Sequence, residues 1–260
     1  MELVKTASRH RSWFSETIYI ILNLALATAV LLLVRNFSDL PGLAYLLVLV
    51  SKWRVFAVRP RFWFANLQAN VVDLLVGLSA ITLIWQATDA IVLQIGLAVG
   101  FAIWLLVLKP RSSRTWVLLQ SAVAQFVAVT ALLGLGYQWP SWAIVLIMWI
   151  IGYSVARHVL TSYEEDEVTL LSLIWGLIVA ELGWLAYHWT IAYALPSSNV
   201  IDLQIPQMAI ILAALGYIIG KCYSLYSTNS KQRFKDIGLQ VGLSSLIILV
   251  LLIFFNGFSQ

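Results

Sequence analysis

Charge is scarce in this chain. Only 11% of its 260 residues are Asp, Glu, Lys or Arg, while 61% are hydrophobic. A soluble domain carries about a quarter charged and about half apolar residues. So little charge excludes an ordinary soluble enzyme, a disordered tail and a nucleic-acid-binding module, despite the net charge of +4. Cysteine is nearly absent. The one thiol, Cys222, rules out an intramolecular disulfide and a cysteine-clustered metal site. Histidine is limited to three residues. There is no His-Glu-x-x-His zinc motif, no Gly-x-Ser-x-Gly nucleophile elbow and no P-loop. No catalytic site, metal or cofactor is expected.

What the chain has is long apolar runs. A run of about 17–25 residues crosses the ~30 Å of a bilayer's hydrocarbon. Nine candidates occur, at 17–34, 40–53, 67–85, 90–108, 116–136, 142–156, 168–189, 207–223 and 237–255, the second and sixth short. The stretches between them leave no room for a soluble domain. The expected fold is therefore all-α, a polytopic transmembrane helical bundle of about nine spans, forming a single integral membrane domain over 1–260. In the longest outer segment, 190–207, Pro196 and Pro206 allow a re-entrant or surface-lying loop.

Basic residues give the direction. With the N-terminus cytoplasmic and the C-terminus outside, Lys5, Arg9, Arg11, the Lys52–Arg61 group, Lys109, Arg111, Arg114, Arg157, Lys221, Lys231, Arg233 and Lys235 all fall inside. Only Arg35 of the 16 Lys and Arg is left outside. A bias that alternates loop by loop follows the positive-inside rule and places the chain in a plasma (inner) membrane.

Two cytoplasmic entries read alike. Arg59-Pro60-Arg61 precedes Leu67-Gln68-Ala69, and Lys109-Pro110-Arg111 precedes Leu119-Gln120-Ser121. The spacing suggests a two-helix repeat, 59–108 and 109–157, the kind of duplication that builds transporter folds. Basic residues, a proline and an aromatic at any cytoplasmic helix start would produce the same pattern.

Two carboxylates, Asp73 and Glu181, fall inside spans, where an ionised group costs about 2.5–3.5 kcal/mol on insertion scales. Asp73 shares a helix face with Asn66, Asn70 and Gly77. A facing stripe is available on the fifth span in Gln120, Ser121, Ala124, Gln125 and Ala128. Glu181 shares a face with His188 near the outer boundary. One reading is a proton or cation path through Asp73, Asn70, Gln125, Glu181 and His188. The other is a neutral Asp and Glu serving as interhelical hydrogen-bond glue. Gly96/Gly100, Gly216/Gly220 and Gly238/Gly242 stand at GxxxG spacing and are expected to let helices pack closely.

The segment 52–64 interleaves cationic and aromatic residues: Lys52, Arg54, Arg59 and Arg61 with Trp53, Phe56, Phe62, Trp63 and Phe64. Such a segment lies in the headgroup layer and attracts anionic lipid at about 1 kcal/mol per basic residue. It either sets topology and anchors the chain or holds a specific lipid headgroup or phosphate, with Lys52, Arg54, Arg59, Arg61 and Trp63 as the headgroup candidates. Lys52, Arg59 and Pro60 also resemble the first signature of membrane lipid-phosphate phosphatases, Lys-x6-Arg-Pro. The later signatures are missing: Pro140-Ser141 continues as Trp142-Ala143. Gln120 stands where that family, after a Ser-Arg such as Ser113-Arg114, has its nucleophilic His. Without that His there is no phosphoryl acceptor. Glu164-Glu165 resembles the paired glutamates of membrane CAAX-type proteases, but Thr169 replaces the Arg of that motif.

The expected protein is a multi-pass membrane component without a catalytic site that binds lipid or protein, as in envelope assembly. The alternative is a small secondary transporter or channel through Asp73, Glu181 and His188. Expected partners are membrane lipids, anionic ones included, and protein partners or a second copy of the chain, with no nucleic acid.

Overall fold

The computed structural model describes residues 13–87, 90–136, 138–194, 203–228 and 234–255. Lys5, Arg9, Arg11, Lys231 and Arg233 lie outside them, as do the side chains of Arg54 and Lys235. Nine helices occur among the described residues: α1 (Trp13–Asn36), α2 (Gly42–Ser51), α3 (Trp63–Gln86), α4 (Ile91–Ile103), α5 (Arg114–Gly136), α6 (Ser141–Ser162), α7 (Val168–His188), α8 (Gln207–Thr228) and α9 (Phe234–Phe254). The fold is a helical, membrane-type bundle. Seven helices are long and apolar enough to span a bilayer, α4 among them when its closing turn is counted.

The two shorter apolar helices are Gly42–Ser51 in α2 and Gly238–Phe254 within α9. At 1.5 Å per residue, the 10 residues of α2 rise about 15 Å, half the hydrocarbon thickness. The expected second span is thus a half-length helix. The chain continues from it through two 3-10 turns, Trp53–Val55 and Pro60–Phe62, to the start of α3. The sixth expected span is longer than its apolar run, because α6 continues through Arg157 to Ser162. Arg157 stays on the helix by turning its guanidinium to the Tyr153 hydroxyl, 3.2 Å away, as long cationic side chains do near membrane ends.

α3 and α5 form the centre. Of its most apolar 18-residue stretch, α5 buries 67%, against 17% for α1. α5 packs against α3, α6 and α8. The tightest pair is α6 with α7, where Gly152 and Gly176 meet: a Cβ on Gly152 would come within 3.1 Å of the Gly176 Cα. The other glycine pairs divide. A Cβ on Gly220 would strike Leu118 at 2.2 Å, whereas Gly96, Gly100, Gly238 and Gly242 would meet nothing within 4 Å. Close packing therefore accounts for Gly216 and Gly220 and not for the other two pairs.

The surface is inverted relative to a soluble protein. Ser79, Thr82, Gln94, Gln120, Ser121, Gln125, Thr130, Ser154 and Ser172 are buried, while Leu, Ile, Val and Phe cover the outside. That arrangement suits hydrocarbon as solvent, where helices satisfy their backbones internally and polar side chains turn inward. In the segment 190–207, Ala192–Ala194 and Gln204–Pro206 form a two-stranded antiparallel pair, so its ends are extended and not helical. Its middle, 195–202, lies outside the described residues.

Candidate functional site

One end of the bundle is built around Asp73. It sits in the eleventh position of α3, 8% exposed. A carboxylate so placed needs opposite charge and hydrogen-bond donors, and three elements supply them. Lys52, the residue capping the C-terminus of α2, ion-pairs with Oδ2. Lys109, just past α4, places Nζ 2.7 Å from the same oxygen. The Trp104 indole donates to Oδ1 at 3.1 Å. Lys52 and Asp73 are sealed, with side chains 10% and 9% exposed, whereas Lys109 at 32% reaches the surface. Two lysines around one carboxylate give the cluster a formal net positive charge.

Local backbone chemistry brings Trp104 and Lys109 to the same carboxylate. Five residues apart on an α-helix, they would point about 140° apart. Here Trp104–Leu108 is a π-turn closed by the Lys109 N–H on the Trp104 carbonyl at 2.9 Å, which swings the two side chains together. The same register would direct the Leu105 carbonyl at residue 110, which is proline and has no N–H. The Tyr19 hydroxyl of α1 donates to it instead, at 2.9 Å, so the buried acceptor is satisfied.

The polar stripe on α3 faces α2 and its following turn, not the fifth-span stripe suggested by spacing alone. Asn66 donates to the Val55 carbonyl at 2.9 Å. Asn70 turns back to the Asn66 carbonyl at 2.8 Å. Gly77 gives α2 its seat, since a Cβ there would lie 2.9 Å from Val48 Cγ1. At the other end of α2 the Tyr45 and Thr82 hydroxyls meet at 2.7 Å.

The basic-aromatic segment folds onto the start of α3. The Trp63 indole donates to the carbonyls of Phe56 and Val58 at 3.0 and 2.9 Å, and its ring meets Phe56 edge-on at 5.8 Å. Arg59 and Arg61 are exposed, as are Trp53, Phe56, Phe62 and Phe64. Arg61 stacks over the Phe62 ring at 4.6 Å. Nearby, Arg111 stacks over Trp116 at 4.2 Å. Arg54 lies in the 3-10 turn Trp53–Val55 with which this segment opens.

Gln120 organises the next loop. Its Nε2 donates to the Leu108 and Arg111 carbonyls at 2.5 and 2.7 Å, and its Oε1 lies 3.0 Å from His158 Nε2. His158 is a half-buried member of α6. At the α6–α7 turn, Thr161 and Ser162 donate back to the Arg157 and Val159 carbonyls. Glu165 accepts from the Tyr223 hydroxyl.

The remaining candidates lie apart. Glu181 and His188 are exposed on α7, His188 with its ring against Trp184 and Tyr187. The structure does not bring either to Asp73. Among the described residues, one cavity is bounded by α5–α8 and another by α2, α3, α5 and α6. Neither is lined by Asp73, Glu181 or His188. Gln125 lines the first. Among the described residues no three His, Cys, Asp or Glu gather to hold a metal ion.

Sequence reasoning missed Lys109 and Trp104 as partners of Asp73, and placed Lys52 at the headgroups alone. The available signal was physical: a carboxylate inside a span demands a cation, and Lys52 and Lys109 both end helices that neighbour α3. Comparison with family models, curated proteins and solved structures returns no match.

Proposed function

We propose that the protein is a non-enzymatic integral membrane component that binds phosphate-bearing, anionic lipid at its inner end. One observation carries the reading. The excess positive charge of the Lys52–Asp73–Lys109 cluster lies at the end of α2, where the exposed Arg59, Arg61 and aromatic residues of 53–64 begin. Exposed aromatics anchor such a segment at headgroup depth, and clustered basic residues there attract anionic headgroups. Asp73 holds Lys52 and Lys109 in place, so part of the charge is pre-positioned and costs little ordering on binding.

In this reading the cluster faces the cytoplasm of a plasma membrane, as the distribution of Lys and Arg requires. A reporter fused after Gln260 then reads outside; a cytoplasmic signal there rejects the orientation. The lipid reading is tested with the full chain in nanodiscs of mixed zwitterionic and anionic lipid. Enrichment of anionic lipid around the protein should fall steeply with salt. Enrichment that is absent, or indifferent to salt, argues against the proposal.

A further inference from the structure

The α5–α8 cavity has an unusual lining. Its volume is about 240 Å³, and it is walled by Leu118, Val159 and Trp175 among other apolar side chains, with Gly216 and Gly220 along α8. An apolar cavity of about 150 Å³ already accommodates benzene, so this one has room for a stretch of hydrocarbon chain. Its rim includes Ile174, Ile178 and Ile219, which are 48%, 38% and 48% exposed on the outer faces of α7 and α8. The mouth therefore opens sideways, toward bilayer hydrocarbon and not toward water.

Three polar side chains reach the cavity. Ser121 is spent on the Val155 carbonyl, 3.5 Å away, and Tyr223 on Glu165. Gln125 is different. It is 0% exposed, and neither its Nε2 nor its Oε1 has a hydrogen-bond partner among the described residues. Gly216 leaves the amide its space, since a Cβ there would sit 3.0 Å from Oε1. A buried amide with both donor and acceptor unpaired is costly and calls for an explanation. The group that satisfies it must accept from the NH2 and donate to the carbonyl, as an alcohol hydroxyl does.

We propose that this cavity binds one hydrocarbon chain of a membrane amphiphile whose uncharged, hydroxyl-bearing end pairs with Gln125. The site is separate from the cationic inner end and does not rest on the lipid reading given above. The amphiphile enters laterally between α7 and α8, and the chain replaces empty space while the hydroxyl satisfies the amide.

The test uses the full chain in nanodiscs with two brominated probes, 9,10-dibromooctadecanol and 9,10-dibromooctadecane. Binding is read as the part of tryptophan quenching that Trp175→Phe removes. The alcohol should bind about tenfold or more tightly than the alkane, since only it pairs the buried amide. Gln125→Met should abolish that preference while leaving alkane binding, and Ala122→Phe, which fills the cavity, should abolish both. Equal affinity of the wild-type protein for the two probes, or no Trp175-dependent quenching, overturns the proposal. The wild-type comparison stands even if a variant fails to fold.

Discussion

Lys109 Nζ lies 2.7 Å from Asp73 Oδ2, tying the end of α4 to the interior of α3. Lys52 reaches the same oxygen from the end of α2. One carboxylate thereby fixes the C-terminal ends of two helices, α2 and α4. The short α2 ends in Lys52, whose largely buried side chain needs a counter-charge, and Asp73 supplies it.

Replacing Asp73 should be the most damaging change at this end. Asp73→Ala orphans two ammonium groups, and breaking a buried ion pair costs about 3–5 kcal/mol. Lys109→Met leaves the Lys52–Asp73 pair intact and should cost much less. Thermal melting of the purified variants in one detergent checks the order. A triple change of Lys52, Asp73 and Lys109 to Met, Leu and Met should recover most of the Asp73→Ala loss.

Gly77 tests the seat of α2. With 2.9 Å between a Cβ and Val48 Cγ1, Gly77→Ala forces the two helices apart at about 1–3 kcal/mol. Val48→Ala in the same chain should return much of that, because it removes the methyl in conflict. Equal melting of Gly77→Ala and wild type would place α2 elsewhere.

The α4–α5 loop depends on Gln120. Gln120→Leu removes donors from two carbonyls and the acceptor facing His158, a loss of about 1–3 kcal/mol for each buried group left unpaired. Hydrogen exchange over residues 109–113 should accelerate, with the core of α5 unaffected. Exchange unchanged in that loop would show that the amide does not hold it.

Much of this architecture was legible from residue order. The apolar runs locate the helices, because hydrocarbon demands uninterrupted apolar length. Asp73 stood out because charge inside a span is expensive. What was not legible depended on neighbours distant in the chain. Lys52 and Trp104 are 21 and 31 residues from Asp73, and no periodicity links them. The π-turn that aligns Trp104 with Lys109 leaves no pattern beyond Pro110. The face Asn66–Asn70–Asp73–Gly77 was readable as a face, but which helix it meets depends on α2 being short enough to end beside Asp73. The cost of Gln125 becomes visible only when its surroundings prove apolar.

The central claim is that the inner end binds anionic lipid through Arg59 and Arg61 beside the Lys52–Asp73–Lys109 cluster. Native mass spectrometry of protein taken from vesicles of equal phosphatidylglycerol and phosphatidylcholine tests it most directly. The wild-type protein should retain phosphatidylglycerol preferentially. Arg59→Gln with Arg61→Gln should lower that retention about 30-fold, from roughly 1 kcal/mol per basic residue, without a change in melting temperature. Equal retention of the two lipids by the wild-type protein, or an undiminished preference in the double variant, would contradict the account.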